Sequence, residues 1–279
     1  MESYAYYNGD FGRRCEIKIP LSDRSIFFGD GVYDAAVGRY EFIMWEKEHI
    51  QRFLINATRL GIEHSYTPDF LSSLLREIAI RSCIPNYFLY LQISRNATKR
   101  NHSAMGCSSN LLVTIEPFEI QRNSPPMCLI AYPDLRYGYC DVKTVNLLPS
   151  VLSATEAERR GCDEAVFIRK GTVTECSKSN IAILKGDTLF THPLTNRILP
   201  GIARRHLLLA CRKINISVIE MPFTLRELKE ADEVLISSTT KLVRRACELD
   251  GMQIGMKNSL LAEKLSEILY EEYKNLGKN

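Results

Sequence analysis

Apolar residues recur along this chain with two different periods, and the switches between them mark out the elements. Tyr4 to Tyr7 and Cys15 to Ile19 are short runs of strand character on either side of the turn signal Asn8-Gly9-Asp10. Val32 to Val37 and Glu41 to Trp45 predict a second strand pair around Gly38. The period then changes: Ile50, Phe53, Leu54, Ala57 and Leu60 fall at helical spacing and predict a helix over Glu46 to Leu60. Pro68 stands just inside the start of a second helix, with Thr67 as its N-cap and Phe70, Leu71, Leu74, Leu75 and Ile78 on its inner face. Strand character returns at Tyr87 to Ser94 and Asn110 to Ile115.

The stretch Glu116 to Met127 carries Pro117, Pro125 and Pro126 and reads as a linker. It predicts a small N-terminal α/β domain over 1–117, a linker over 118–127 and a large C-terminal domain over 128–279. Beyond the linker, strands are expected at Cys128 to Tyr132, Glu164 to Ile168, Ile181 to Leu184 and Val234 to Ser237. Helices are expected at Pro149 to Arg160, Gly201 to Asn215 and Ser259 to Asn275. Helices and strands intermix without strict alternation, which predicts an α+β fold.

Composition narrows the function classes. A 45% apolar fraction and a 25% charged fraction are those of a globular chain. The net charge of +3 is small, and the basic pairs Arg159-Arg160, Arg204-Arg205 and Arg244-Arg245 lie far apart, which disfavours nucleic-acid binding. Nine cysteines are scattered, with no Cys-x-x-Cys pair. That argues against a metal site or a disulfide framework and for a reducing compartment. The first residues do not read as a signal peptide, and no apolar run reaches membrane-spanning length, so a soluble cytoplasmic protein is expected.

Taken singly, the polar residues of interest carry little information: Lys143, Glu175, Arg52 and the run Ser237-Ser238-Thr239-Thr240 would each pass for ordinary surface positions. Their order is more telling. Lys143-Thr144-Val145-Asn146 is followed by Glu156-Ala157, Gly161-Cys162-Asp163-Glu164-Ala165 and Val173-Thr174-Glu175-Cys176-Ser177 with Ser179-Asn180. Thr191-His192-Pro193, Ile198-Leu199-Pro200-Gly201-Ile202, the Ser/Thr run and Glu248-Leu249-Asp250-Gly251 complete the series. Upstream stand Asp23-Arg24, Phe28-Gly29-Asp30-Gly31-Val32-Tyr33 and Glu48-His49-Ile50-Gln51-Arg52.

Over almost its whole length the chain thus resembles the class IV aminotransferases, the fold-type IV family of pyridoxal-phosphate (PLP) enzymes. The resemblance implies a two-domain architecture with the cofactor in the interdomain cleft. It also implies Lys143 as the Schiff-base lysine and catalytic residue, Glu175 beside the pyridine nitrogen, and Arg52 on the phosphate. Each role suits its residue type. An amine holds the aldehyde and moves a proton, a carboxylate keeps the ring nitrogen charged, and a guanidinium pairs with a dianion. By the same resemblance Ser179, Asn180, Leu199, Gly201, Ile202, Ala203, Ser238 and Thr239 line the cofactor, the helix opened by Gly201 aiming free amides at the phosphate.

The branch of the family is carried by Arg95-Asn96-Ala97-Thr98-Lys99-Arg100-Asn101-His102, which resembles the Arg-x-His element of D-amino acid aminotransferases. There Arg100, His102 and Tyr33 would trap the substrate carboxylate, with the loop reaching the partner subunit's site, so a homodimer is implied. Three departures stand out: Ala203 where a threonine is common, Lys178 among usually small residues, and Arg244-Arg245. Lys178 reads as an added cation near the substrate or a solvent-facing lysine; His49, His64, His192 and His206 read as structural. The expected activity is transfer of an amino group from a D-amino acid, D-alanine first, to an oxo acid such as 2-oxoglutarate. An aminodeoxychorismate lyase and an L-branched-chain aminotransferase are the alternatives.

Overall fold

The computed structural model describes residues 2–96 and 99–278. Two residues of the Arg95-to-His102 element, Ala97 and Thr98, lie outside the described residues. The chain divides into two compact units. One comprises Met1–Ile120, Val142–Asn146 and Asn275–Asn279; the other comprises Gln121–Asp141 and Leu147–Lys274. The sequence division at 128 assigns Lys143 to the second domain, whereas its backbone contacts group Val142–Asn146 with the first unit.

The first unit holds β1 (Tyr4–Tyr7), β2 (Asp10–Arg13), α1 (Arg24–Phe28), β3 (Gly31–Arg39), β4 (Phe42–Ile43), α2 (Glu46–Arg59), α3 (Pro68–Ser82), β5 (Asn86–Arg95) and β6 (Ser109–Pro117). Its strands form one antiparallel sheet in the order β2-β1-β6-β5-β3-β4. In β5 the alternation puts Tyr87, Leu89, Leu91 and Ile93 inward. They share a core with Phe53 of α2 and Leu71 and Ile78 of α3. Thr67 caps α3 by accepting from Phe70 N at 3.2 Å, with Pro68 in the first turn.

Two sequence expectations fail here. Cys15 to Ile19 is not a strand: the Asn8-Gly9 turn reverses the chain at once, pairing Tyr7 with Asp10, so β2 ends at Arg13. Phe70 is 45% exposed, because Leu71, Leu74, Leu75 and Ile78 already fill the inner stripe of α3. It stacks instead on Tyr66, ring centroids 5.6 Å apart.

The second unit runs through β7 (Met127–Pro133), α4 (Leu148–Arg159), β8 (Glu164–Arg169), β9 (Thr172–Cys176), β10 (Asn180–Lys185), β11 (Thr188–Thr191), α5 (Ile202–Lys213) and β12 (Ser217–Glu220). It continues with β13 (Phe223–Thr224), α6 (Leu225–Glu230), β14 (Glu233–Ser238), β15 (Leu242–Leu249), β16 (Met252–Gln253) and α7 (Ser259–Lys274). Among the described residues ten strands form one mixed sheet, in which β7 lies parallel to both β8 and β15. The mixture of helices and strands expected from the sequence is present in both units.

Arg244 and Arg245, unexplained by sequence, have structural partners. Arg245 forms a bidentate pair with the buried Glu233 on the neighbouring strand, at 2.8 and 2.9 Å. Arg244 donates to the carbonyl of Pro125 in the proline-rich stretch. The expectation of a chain without disulfides is corrected: Cys128 and Cys162 are bonded, with Cα atoms 4.8 Å apart. Adjacency of β7 and β8 brings them together, which sequence spacing does not reveal.

Candidate active site

Lys143 sits on a short extended segment laid along the start of β3. Tyr33 N donates to Lys143 O at 2.9 Å, and Val145 N to Gly31 O at 3.1 Å. Asn146 closes the segment by donating to Gly29 O at 2.6 Å. Gly29 is required there twice over: it caps α1 at φ +58°, and an added Cβ would lie 2.7 Å from the Asn146 side chain. These bonds hold the Lys143 Nζ 4.4 Å from the centroid of the Tyr33 ring, a cation–π distance. Tyr33 is itself stacked on Tyr90 at 5.3 Å.

Next to Tyr33, but facing the interior, Asp34 is fully buried and receives two side chains of α2. Arg52 donates from Nε to Oδ2 at 2.8 Å and from Nη2 to Oδ1 at 2.7 Å, and His49 Nδ1 lies 2.7 Å from Oδ1. His49 and Arg52 are three apart and so share a helix face. Burial pushes the Asp34 carboxyl up, but Arg52 and His49 more than offset this and hold it well below the carboxylate range. Burial pushes His49 below its ordinary value, and Asp34 only partly restores it. Asp34 does not stand out in the sequence, and the burial of His49 against it agrees with a structural role for that histidine. The available signal was a carboxylate in the inward register of a strand, on the face shared by Val32 and Ala36.

In the second unit Glu175 is the penultimate residue of β9 and is buried. One oxygen pairs with Arg136 Nη1; the other accepts from Asn180 Nδ2 at 2.9 Å and from Leu199 N at 3.0 Å. Asn180 also donates to Leu199 O at 3.0 Å. Arg136, which sequence reasoning missed, is held by Asp134 at 2.9 and 3.0 Å and lies over the Phe167 ring at 4.3 Å. Burial opposes its charge, but Asp134 and Glu175 outweigh burial and keep it strongly cationic. Nothing in Pro133-Asp134-Leu135-Arg136 distinguishes it from a solvated loop.

Gly201 precedes α5 with no side-chain cap, leaving the first-turn amides, including those of Ile202 and Ala203, to another acceptor. A Cβ at Gly201 would come 1.9 Å from Asn180 Oδ1, so only glycine allows this approach. Ser179 donates its hydroxyl to the buried Glu164, which also pairs with Lys241. Ser177 Oγ is buried with no hydrogen-bond partner. Ser238 and Thr239 are half-buried at the end of β14, and Lys178 is exposed.

Arg100 and His102 both pack on Phe28 of α1, the guanidinium 5.1 Å and the imidazole 5.3 Å from its ring. Buried Arg24 fastens this loop by donating to the carbonyls of Asn101 and, at 3.1 Å, His102. Asp30 anchors Arg24 at 2.7 Å and pairs with Arg95 as well.

The family profile of amino-transferase class IV matches residues 31–249. The chain is 33% identical over 272 residues to a D-alanine aminotransferase of Listeria monocytogenes, covering 95% of this chain and 94% of the relative. It is 35% identical over 254 residues to a D-alanine aminotransferase of Bacillus licheniformis, 89% of each chain being covered. A branched-chain aminotransferase structure from Thermoproteus uzoniensis superposes with a TM-score of 0.90 at 22% identity, over 99% of this chain and 94% of that one, which establishes a shared fold. The chain belongs to the class IV aminotransferase family. It is, by that membership, a PLP-dependent transaminase with the fold-type IV architecture. Among the described residues no helix is long and apolar enough to cross a membrane.

Proposed function

We propose that this transaminase takes its amino group from a D-amino acid, D-alanine foremost, and passes it to an oxo acid such as 2-oxoglutarate. The observation that carries this reading is the Arg100-Asn101-His102 loop, built around Phe28 and fastened by a buried arginine. A guanidinium and an imidazole presented together suit a carboxylate, and the curated relatives named above are D-alanine aminotransferases.

The residues present fit PLP. There is an amine whose contact is an aromatic face, a buried carboxylate braced by an arginine, and an uncapped helix start at Gly201. Arg52, Ile202, Ala203, Ser238 and Thr239 would hold the phosphate, and Glu175 the ring nitrogen. When bound, PLP supplies an electron sink for the substrate's α-carbon. Lys143 would take the proton from that carbon and return it. Glu175 would keep its charge against the ring because Arg136, Asn180 and the Leu199 amide fix its two oxygens. Tyr33 would limit where the Lys143 amine can point, and Arg100 and His102 would set which face of the substrate meets it.

We infer that the protein acts as a homodimer whose Arg100–His102 loop serves the partner's site. The faces of α1 and α4 support a second copy: Phe27 is 51%, Leu148 68% and Leu152 54% exposed, while Ser153 on α4 is buried. Such an inverted helix face belongs at an interface. Turnover with 2-oxoglutarate against both enantiomers of a panel of amino acids tests the reading. Activity confined to D-amino acids is expected; activity confined to L-leucine and its kin, or pyruvate release from aminodeoxychorismate alone, overturns it.

A further inference from the structure

Away from the residues above, three adjacent strands bring two cysteines and a carboxylate together. Strands β7 and β8 run parallel with Leu129 opposite Glu164, which sets Cys128 beside the loop that carries Cys162 into β8. That loop is fixed by Asp163, whose amide donates to Cys128 O at 2.8 Å and whose carboxylate accepts from Cys128 N at 2.8 Å. On the other side β15 is bulged at Cys247, and the register shift sets Glu248 opposite Cys128. Glu248 Oε1 lies 3.3 Å from Cys128 Sγ, and one ligand atom from each of the three residues fits within a 4.8 Å cluster. All three are only half-buried, so small reagents can reach them. The other seven cysteines are unpaired.

We propose that Cys128 and Cys162 form a reversible thiol–disulfide site whose reactant is a low-molecular-weight disulfide, with Glu248 slowing its oxidation. In the reduced form the Cys128 sulfur faces Glu248 Oε1, 3.3 Å away, and its thiol donates there; the carboxylate disfavours a thiolate beside it, so Cys162 is the first nucleophile. Cys162 gives up its proton, attacks one sulfur of the external disulfide and expels the other as a thiolate. Cys128 then loses its proton and displaces the remaining external thiolate from Cys162. Two protein thiols are oxidised, one external disulfide is reduced to two thiols, and the two protons end on them. The bond closes a loop 34 residues apart in sequence, within which Lys143 lies. Two thiolates and a carboxylate are also a donor set for zinc, but the direct sulfur–sulfur pairing at a Cα separation of 4.8 Å favours the disulfide.

The test is thiol counting and peptide mapping of the purified holoenzyme before and after exposure to oxidised glutathione. Nine alkylatable thiols in denaturant should fall to seven, with one crosslink joining the Cys128 and Cys162 peptides, and dithiothreitol should restore all nine. Cys128→Ser should trap a glutathione adduct on Cys162, and Glu248→Gln should speed closure severalfold; circular dichroism checks that both variants fold. Nine thiols persisting after oxidation, or crosslinks among other cysteines, would overturn the proposal. So would zinc retained by the reduced enzyme, lost in Cys162→Ser, with no crosslink under oxidant.

Discussion

Asp34 grips Arg52 through two hydrogen bonds, Nε to Oδ2 at 2.8 Å and Nη2 to Oδ1 at 2.7 Å. The pair orients a guanidinium on α2 from a fully buried position on β3, one residue from Tyr33. Removing one member of such a pair leaves the other charge uncompensated. We predict that Asp34→Asn lowers stability by about 3 kcal/mol or more and weakens PLP retention. Denaturant titration with and without PLP checks both, and an unchanged apoprotein midpoint would contradict the first.

The carboxylate of Glu175 is braced from three sides, by Arg136, Asn180 and Leu199 N. Replacing charge with a neutral isostere matters most as the α-carbon loses its proton. We predict that Glu175→Gln slows the half-reaction on the order of 100-fold with little change in KM, and that Arg136→Met acts in the same direction. Stopped-flow rates decide it; an equal loss in KM and none in kcat would remove Glu175 from its assigned role.

The sequence revealed the residues that repeat in order and hid those that depend on neighbours across the fold. Helices α2 and α3 were legible because their stripes are periodic and Thr67-Pro68 marks a start. Lys143, Glu175 and Arg52 stand out in the sequence only as members of an ordered series, and their roles remain those proposed above. Arg136 and Asp34 were not legible, since Arg136 meets Glu175 from 39 residues away and Asp34 meets Arg52 from 18 residues away. Strand β15 was also missed, because Arg244, Arg245 and Glu248 break its apolar alternation while finding partners in Pro125, Glu233 and Cys128.

Arg24 holds the Arg100–His102 loop by donating to the carbonyls of Asn101 and His102, and would position it for the substrate role proposed above. We predict that Arg24→Ala raises KM for D-alanine more than it lowers kcat and erodes discrimination against L-amino acids. A kcat/KM comparison of the two enantiomers reads this out; a variant with unaltered selectivity would dismiss the latch.

Acid should destabilise the fold in two stages. His49 is held below its ordinary value of 6.5, so the unfolded chain binds more protons than the native one as pH falls through 6.5. Stability is therefore present above pH 6.5 and lost below it, with His192 contributing in the same direction. Asp34 adds a second loss only below its ordinary value of 3.8, because its folded carboxyl lies lower still. We predict that His49→Gln flattens the first stage; chemical denaturation at several pH values between these limits measures it, and an unchanged slope would exclude His49 as its source.

A single-turnover half-reaction tests most directly whether Lys143 works on D-amino acids. Holoenzyme is mixed with D-alanine, L-leucine or aminodeoxychorismate in the absence of an acceptor, and oxo-acid product is quantified against cofactor. We predict one equivalent of pyruvate from D-alanine, no oxo acid from L-leucine, no pyruvate from aminodeoxychorismate, and no product in any case from Lys143→Ala. Pyruvate from aminodeoxychorismate with none from D-alanine, or full product from the Lys143→Ala enzyme, would contradict it.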